Sequence, residues 1–355
     1  MLYRESGQFK TSYKADMAIF PIRQDRWGVI AVLILAAVIV PLFASEHMIV
    51  GYLIPFLIWS IAAIGLNLLT GYAGQLSLGH GAFMAVGAYS AYNLAVRIPE
   101  LPLLAVFIGA GLIAAACGVV VGSPSLRIKG FYLAVATLAA QFFAEWVFAT
   151  FPWFVGGAAS MVIDTPKMSL FGYPIESNLD NYFLVLGFVI VTTLLAKNLV
   201  RSAIGRAWMA VRDMDVAAEV IGIRPLYTKL SAFAVSSFFA GIAGALYAFC
   251  YVKSVDFTAF DLFVSLKVLF MIIIGGMGSI LGCFLGAAFI VILPILLNVA
   301  AHNLTGGQVS AELITNIEHM TFGGLIVYFL IVEPHGLARM WATAKEKLRL
   351  WPFPH

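Results

Sequence analysis

Long apolar runs alternate with short polar segments along the chain, and this pattern predicts helices that cross a membrane. A membrane-spanning helix needs about 20 predominantly apolar residues. The runs that approach this length lie at 27–44, 49–69, 80–98, 102–121, 130–151, 181–196, 230–252, 263–281, 284–300 and 318–333. We therefore predict an all-α polytopic membrane protein with about ten transmembrane helices. The boundary between the spans 263–281 and 284–300 is the least defined, because the apolar tract 263–300 is continuous.

The positions of Lys and Arg orient these predicted spans. Ten spans place both termini on one side, and 17 of the 21 Lys and Arg residues then lie in segments on that side. Short cytoplasmic loops are enriched in Lys and Arg, so that side is predicted to be the cytoplasm. The chain then divides into a cytoplasmic segment at 1–26, a transmembrane domain at 27–336 and a cytoplasmic tail at 337–355. Lys267 is placed in the outer turn of its span, with its ammonium group snorkelling to the interface.

The composition favours a membrane protein and gives little support to an enzyme. Charged residues make up 11% of the chain, against about a quarter in soluble domains. The net charge of +3 is spread over short loops, so no nucleic-acid partner is expected. There is no Gly-Lys dipeptide, hence no Walker A loop, and neither a His-Glu-x-x-His nor a Gly-x-Ser-x-Gly motif. We expect no catalytic residue, no cofactor and no metal site, with the three cysteines acting as buried apolar side chains.

A polar loop at 197–229, on the predicted cytoplasmic side, has the pattern of an amphipathic helix. Its apolar residues recur at three- and four-residue spacing and predict one stripe on a single helix. The stripe comprises Ala207, Met209, Ala210, Val211, Val216, Ala217, Val220 and Ile221. Gly222, followed by Pro225, marks the end of the helix. Small apolar side chains beside mixed charges favour docking into a protein groove over binding to lipid headgroups.

Polar side chains inside apolar spans are costly, so each one is a candidate for lining a transport path. The densest group comprises Asn67, Thr70, Gln75, Ser77 and His80, among Gly71, Gly74, Gly79 and Gly81. So many glycines predict a broken or re-entrant helix that forms a path wall, or else tight helix packing through small residues. Gln141 and Glu145 lie one helical turn apart. Glu145 fits either a proton site in a secondary transporter or a polar group near the outer mouth.

Two predicted outer loops, 152–180 and 301–317, could contact an external partner, and plain connectors explain them equally well. The Gly-rich segments 71–83 and 275–289 also resemble each other, and each follows a span that reaches the inner side. Internal repeats are common in transporters, but one such pair is weak evidence for a repeat.

Four stretches, in order, resemble the permease subunits of high-affinity branched-chain amino acid ABC importers, in particular the LivM-type subunit. They are GLNLLTGYAGQLSLGHGAFMAVGAYSAY (65–92), SLRIKGFYLAVATL (125–138), GRAWMAVRDMDVAAEVIGI (205–223), and GGMGSILGCFLGAAFIVILP (275–294) with EPHGLARMW (333–341). The resemblance covers roughly 50–345. The third stretch is similar to the coupling segment with which such permeases dock on their ATPases. The matching residues are Gly205, Arg206, Ala207, Arg212, Asp213, Ala217, Ala218 and Gly222.

The resemblance implies a permease subunit of an ABC importer, in the bacterial inner membrane, for branched-chain or related amino acids. Such importers combine two permease subunits, here with a LivH-type partner, cytoplasmic ATPases and a periplasmic substrate-binding protein. A polar, Gly-rich region would then border the translocation path. Its candidate residues are Asn67, Thr70, Gly71, Gly74, Gln75, Ser77, Gly79, His80, Gln141 and Glu145.

Two departures from the family pattern leave the substrate open. The chain reads Phe-Val-Gly-Gly-Ala-Ala-Ser at 154–160, where the family usually has Thr-Gly-Gly-x-x-Gly. It also has Asp213-Met214-Asp215, where Asp-Asn-Glu is common. The first departure lies on the outer side, where a binding protein would dock, so related importers of urea, amides or aromatic acids remain alternatives. An ion-coupled secondary transporter that uses Glu145 is the alternative from a different class.

Overall fold

The structure, a computed structural model, describes residues 11–12, 23–125, 131–154, 162–170, 172–305, 311–333 and 336–350. Within these residues the chain is almost entirely helical. The helices are α1 (Arg23–Ile34), α2 (Ile54–Asn67), α3 (His80–Arg97), α4 (Leu103–Ser125), α5 (Phe131–Thr150), α6 (Asn178–Arg201), α7 (Ala203–Asp213), α8 (Asp215–Val220), α9 (Pro225–Leu246), α10 (Leu262–Gly275), α11 (Ile280–Thr305), α12 (Ala311–Val332) and α13 (Gly336–Leu350). The strands are β1 (Ile163–Asp164), β2 (Ser169–Leu170), β3 (Tyr173–Pro174) and β4 (Ser254–Val255).

Three of these helices continue through π-helical turns, and the second one thereby becomes longer than its predicted span 49–69. The added segments are Leu35–Ile39 and Val40–Phe43 after α1, Glu46–Met48 and Ile49–Leu53 before α2, Leu68–Tyr72 after α2, and Tyr247–Val252 after α9. The second helix therefore extends without interruption over 27 residues, Glu46–Tyr72.

Eight helical segments in the described part of the chain are long and apolar enough to cross a membrane. They are Arg26–Phe43, Glu46–Tyr72, Leu103–Ser123, Tyr132–Thr150, Asn178–Arg201, Pro225–Val252, Phe257–Gly275 and Ile280–Val299. The prediction of an all-α polytopic membrane protein is confirmed. Helices α3 and α12 overlap the two remaining predicted spans, 80–98 and 318–333, and the number of ten spans stays a prediction.

The predicted boundary between the spans 263–281 and 284–300 is misplaced. Helix α10 ends at Gly275 and not at 281, and α11 begins at Ile280 and not at 284. Between them the chain turns at Gly276 and Gly278, whose φ angles are 113° and 77°. These left-handed conformations suit glycine, so the Gly-Gly-Met-Gly sequence marks a helix boundary that the apolar residues on both sides conceal.

Small residues allow α9 to pack closely against α3 and α4 at the centre of the fold. A Cβ atom on Gly241 would lie 2.5 Å from the Cβ of Ala114 in α4, and one on Gly87 of α3 would overlap the backbone of Gly241. Gly118 of α4 makes a similar approach to Ser237 of α9. These contacts need the absence of a side chain, as is common between membrane helices.

Short strands fix part of the predicted outer loop 152–180. Strand β1 pairs antiparallel with β4, with Ile163 opposite Val255. The backbone N–H and the hydroxyl of Thr165 both donate to the carbonyl of Lys253, each at 3.1 Å. The described part of this loop is therefore tied to the segment that joins α9 to α10, and its contact with an external partner stays a prediction.

Some predicted segments lie partly or largely outside the described residues. They are most of the N-terminal segment 1–26, the departure at 155–160 and the outer loop at 306–310. The predicted tail 337–355 is described as far as Leu350, where helix α13 ends.

Candidate functional site at the glycine junction

The segment 203–222, called the coupling segment from here on, forms two short helices rather than the single predicted helix. Ser202 caps α7, since its hydroxyl accepts from the N–H groups of Ile204 and Gly205. Met214, with φ −160° and ψ 94°, separates α7 from α8. Gly222 ends α8 with φ 91°, and its N–H donates to the carbonyl of Glu219 at 3.0 Å. The predicted continuous stripe is therefore wrong, because the extended residue between the helices turns α8 to a different direction.

One side of the coupling segment is anchored in the fold. Trp208 is completely buried, and its indole N–H donates to the hydroxyl of Ser231 in α9 at 3.0 Å. Val211 and Ala218 are also buried. Gly205 is buried against the last carbonyl groups of α6, where a Cβ atom would overlap them. Gly205 and Ala218, two of the residues matched to the coupling motif, therefore shape the segment and are not available to a partner.

The opposite side of the coupling segment exposes a group of large apolar side chains. Met214, Val216, Val220 and Ile221 have 64–83% of their surface exposed. Other matched residues belong to this accessible side. Arg206, Arg212, Asp213, Ala217 and Gly222 are exposed, and Ala207 is half-buried. Apolar residues of this size next to charged groups form a surface suited to another protein.

Arg212 connects the coupling segment to the end of the second span. Its Nη1 donates to the carbonyl of Gly71 at 2.8 Å, and Asp213 holds the guanidinium through a 2.8 Å contact. The Arg212 side chain lies against Gly74, where a Cβ atom would be 2.7 Å from its Cγ. Gly74 also has a φ of 68°, so both the space and the backbone conformation require glycine there.

Asn67 connects the end of the helix Glu46–Tyr72 to the turn between α10 and α11. Its side-chain amide donates to the carbonyl of Ser279 at 3.1 Å, and its Oδ1 accepts from the N–H of Gly278 at 2.8 Å. Gly71 abuts the backbone of Gly278. A Cβ atom on Gly336, at the start of α13, would lie 2.6 Å from the Gly276 nitrogen. We refer to this set as the glycine junction: Asn67, Gly71, Gly74, Arg212, Gly276, Gly278, Ser279 and Gly336.

The helix break predicted around residues 71–81 is present. Helical structure stops at Tyr72 and resumes at His80. The His80 Nε2 atom lies 3.1 Å from the carbonyl oxygen of Ala62, which is ten residues before Tyr72 and hence about 15 Å back along that helix. Residues 73–79 thus return alongside the helix that they follow, as a re-entrant segment does. Non-helical backbone at such depth is tolerated where protein surrounds it.

Hydrogen bonds from neighbouring helices hold the start of α3 at this depth. Gln141 Oε1 accepts from the N–H of Ala82 at 2.7 Å, and its Nε2 donates to the carbonyl of Phe260 at 2.7 Å and to Glu145 Oε1 at 2.9 Å. Ser265 Oγ accepts from the N–H of Gly81 at 2.7 Å. Gln141 therefore links α3, α5 and the entrance to α10 in one buried network.

The remaining candidates for the translocation path make hydrogen bonds within the same re-entrant segment. Thr70 donates to the carbonyl of Gln75 at 3.1 Å, and the Gln75 side chain donates to the carbonyl of Ala73 at 3.2 Å. Asn67, Gln75, Ser77, His80 and Gln141 are all buried, while Thr70 and Glu145 are half-buried and Gly74 is exposed. Most of the predicted set thus supports the broken helix from inside the subunit, and its role along a translocation path stays a prediction.

Sequence reasoning missed several partners of these residues. Gly278 and Ser279 are absent from the predicted set, although the resemblance between the two Gly-rich segments pointed to this turn. Trp208 was not counted in the apolar stripe. Ser265, which binds both Gly81 and Gln141, carried no signal beyond being a polar residue in an apolar span.

Lys267 contacts the second long helix. Its ammonium lies 5.3 Å from the ring centre of Trp59, a residue of the helix Glu46–Tyr72. The position of Lys267 in an outer turn of its span stays a prediction.

Eight helical segments that are long and apolar enough to cross a membrane, with a helix break after Tyr72, define a multi-pass membrane protein. The family comparison agrees, since residues 48–330 match the family described as "Branched-chain amino acid transport system / permease component". The chain belongs to this family. Its members are transport components, and not enzymes.

Two relatives have a similar sequence, and each match covers 80% of this chain and 68% of the relative. Both are named high-affinity branched-chain amino acid transport system permease protein LivM. The one from Escherichia coli (strain K12) is 32% identical, and the one from Salmonella typhimurium is 30% identical. No solved structure gives a significant match.

Proposed function

We propose that this chain is the permease subunit of an ABC importer for branched-chain amino acids. The observation that carries the proposal is the coupling segment, which exposes Met214, Val216, Val220 and Ile221 and reaches the second span through Arg212. Such a segment can receive a force from a docked ATPase and pass it to the spans. The substrate class rests on the family and on the LivM relatives.

The complete importer has further parts. A second permease subunit of the LivH type pairs with this chain, ATPases bind the coupling segment from the cytoplasm, and a periplasmic binding protein delivers the amino acid to the outer loops. Both termini lie in the cytoplasm, and the protein resides in the inner membrane. Nucleotide binding in the ATPases then biases an equilibrium between inward- and outward-facing states.

The alternative of an ion-coupled transporter rests on Glu145. Its carboxylate accepts from Gln141, which itself holds the start of α3, so the geometry supports a role in positioning. A glutamine at this position keeps an oxygen acceptor. We therefore expect the Glu145→Gln variant to retain ATP-driven uptake, whereas an ion-coupled transporter would lose uptake at every pH.

Uptake assays test the proposal. Cells that lack their own branched-chain amino acid importers would express this chain together with candidate permease, ATPase and binding-protein subunits from the same genome. We expect uptake of leucine, isoleucine and valine that an ATPase-inactivating substitution abolishes. Uptake that persists without active ATPase would refute the proposal, and competition by urea, amides or aromatic acids alone would move the substrate to those alternatives.

A docking variant tests the coupling segment itself. Val220, with 83% of its surface exposed, is changed to Asp so that a charge replaces an exposed apolar side chain without disturbing the fold. The expected result is loss of ATPase co-purification and of uptake at a normal membrane level. Met340→Asp is the matched control, since Met340 is half exposed on α13 outside the coupling segment. Unchanged co-purification in Val220→Asp would contradict docking at this surface.

A further inference from the structure

Helix α13 begins where a segment long enough to span the membrane ends. A Cβ atom on Gly336, its first residue, would lie 2.6 Å from the Gly276 nitrogen and from the carbonyl oxygen of Ile274. Both atoms are at the end of the segment Phe257–Gly275, whose 19 residues match the hydrocarbon thickness of a bilayer. The first turn of α13 is therefore placed at a membrane surface.

The tryptophan of α13 is within reach of the lipid headgroups. Trp341 follows Gly336 by five residues, which is about 7.5 Å along a helix axis. The headgroup region extends roughly 5–8 Å beyond the hydrocarbon core on each side. Trp341 therefore stays at headgroup level whichever way the helix points, and 53% of its surface is exposed. Tryptophan is enriched at this depth in membrane proteins.

The sequence of α13 has an apolar stripe bordered by lysines. Leu337, Trp341 and Ala344 recur at spacings of four and three residues and so share one side of the helix. Lys345 and Lys347 fall on the two borders of this stripe, roughly 70–90° from its centre. Lysines in these positions can extend their ammonium groups to lipid phosphates while the stripe faces the acyl chains.

The charge of α13 favours an anionic surface. Its sequence holds four basic residues against one acidic residue, Glu346. The coupling segment differs, because its exposed apolar side chains lie among Asp213, Asp215 and Glu219 as well as arginines. A tryptophan and a small apolar stripe with basic borders are typical of a helix that lies on lipid, whereas mixed charges suit a protein groove.

We propose that α13 is an interfacial helix that binds anionic phospholipid through its apolar stripe and through Lys345 and Lys347. The inference goes beyond the proposed function, since it needs neither an ATPase nor a transported substrate. Gly336 belongs to the glycine junction. A lipid-bound α13 would therefore hold that junction at a constant height relative to the membrane surface.

Spin labels on two sides of α13 test the proposal in the full chain, reconstituted in phosphatidylglycerol nanodiscs. Ala344→Cys places a label on the stripe, and Glu346→Cys places a matched label about 160° away around the helix. Both residues are exposed in the structure. The chain without an added cysteine gives the background from its three native cysteines.

Collisions of the two labels with oxygen, which dissolves in acyl chains, and with a water-soluble nickel chelate report their depth. We expect the ratio of oxygen to nickel collisions to be at least threefold higher for Ala344→Cys than for Glu346→Cys. Equal ratios would place α13 in water and overturn the proposal. Shielding of the Ala344→Cys label from both reagents would show a protein contact at the stripe and would also overturn it.

Charge variants test the role of the anionic headgroup. Each Lys or Arg near an anionic membrane surface raises affinity about fivefold. Lys345→Gln with Lys347→Gln should therefore lower the ratio of docked to undocked stripe label about 25-fold in phosphatidylglycerol. Lys345→Arg with Lys347→Arg keeps both charges and should match wild type. Equal docking of the two double variants would overturn the part of the proposal that concerns anionic lipid.

The outcomes are distinguishable from those that test the proposed function. We expect ATPase co-purification with the double glutamine variant to match wild type, because the proposed ATPase surface is the coupling segment and not α13. Loss of ATPase co-purification in this variant would show that α13 binds the ATPase, and would overturn lipid as its partner. Uptake that needs no ATPase would refute the importer and leave the depth of α13 unaffected.

Discussion

Replacing Gly71 with alanine should break the glycine junction. The added methyl group would overlap Asn67 Oδ1 and the backbone nitrogen of Gly278. The Asn67 side chain is buried and has to turn away, which gives up its hydrogen bonds of 2.8 Å with Gly278 and 3.1 Å with Ser279. The Gly278 backbone cannot move without shifting the whole turn between α10 and α11, so it cannot relieve the overlap at low cost.

The expected magnitude follows from two contributions. Leaving buried hydrogen-bonding groups unpaired costs about 1–3 kcal/mol. Overpacking by one methyl group in a close-packed region costs about 1–3 kcal/mol more. The sum of about 2–6 kcal/mol should lower the unfolding temperature of the detergent-solubilised chain by roughly 3–8 °C. We expect uptake to fall as well, because Gly71 carries the contact to Arg212.

Gly187→Ala is the matched control for this experiment. Gly187 lies within α6, and nothing would lie within 4 Å of its added Cβ atom. Alanine is also the better helix former by about 1 kcal/mol, so the unfolding temperature should stay level or rise slightly. Equal unfolding temperatures for Gly71→Ala and Gly187→Ala would refute the close contact between Gly71 and Gly278. The Asn67→Ala variant should lose part of the same stabilisation. The loss of stability in the double variant Asn67→Ala, Gly71→Ala should be smaller than the sum of the two single losses.

Two further substitutions address the network around the re-entrant segment and the anchor of the coupling segment. Gln141→Leu leaves the Ala82 N–H and the Phe260 carbonyl without their hydrogen-bond partner, at a cost of about 2–5 kcal/mol. The unfolding temperature should therefore fall by several degrees. An unchanged unfolding temperature would contradict the hydrogen-bond network around Gln141. Trp208→Phe removes the bond to Ser231 and some buried volume. We expect it to cost about 1–3 kcal/mol and to reduce ATPase co-purification, and normal co-purification would show that the anchor is dispensable.

The sequence was sufficient for the class of fold, since runs of about 20 apolar residues leave few alternatives to membrane helices. It was also sufficient for the break after Tyr72, because four glycines among polar residues disfavour a continuous helix. The two short helices of the coupling segment were missed for a physical reason. Met214 has no intrinsic tendency to end a helix, so its extended conformation reflects how α7 and α8 pack and not its own propensity.

Long-range pairing could not be predicted from a single sequence. Asn67 and Ser279 are 212 residues apart, and a polar residue in a span does not show which carbonyl it will meet. The same limit applies to Lys267. Its position within a span does not show that its ammonium will contact Trp59 on a neighbouring helix.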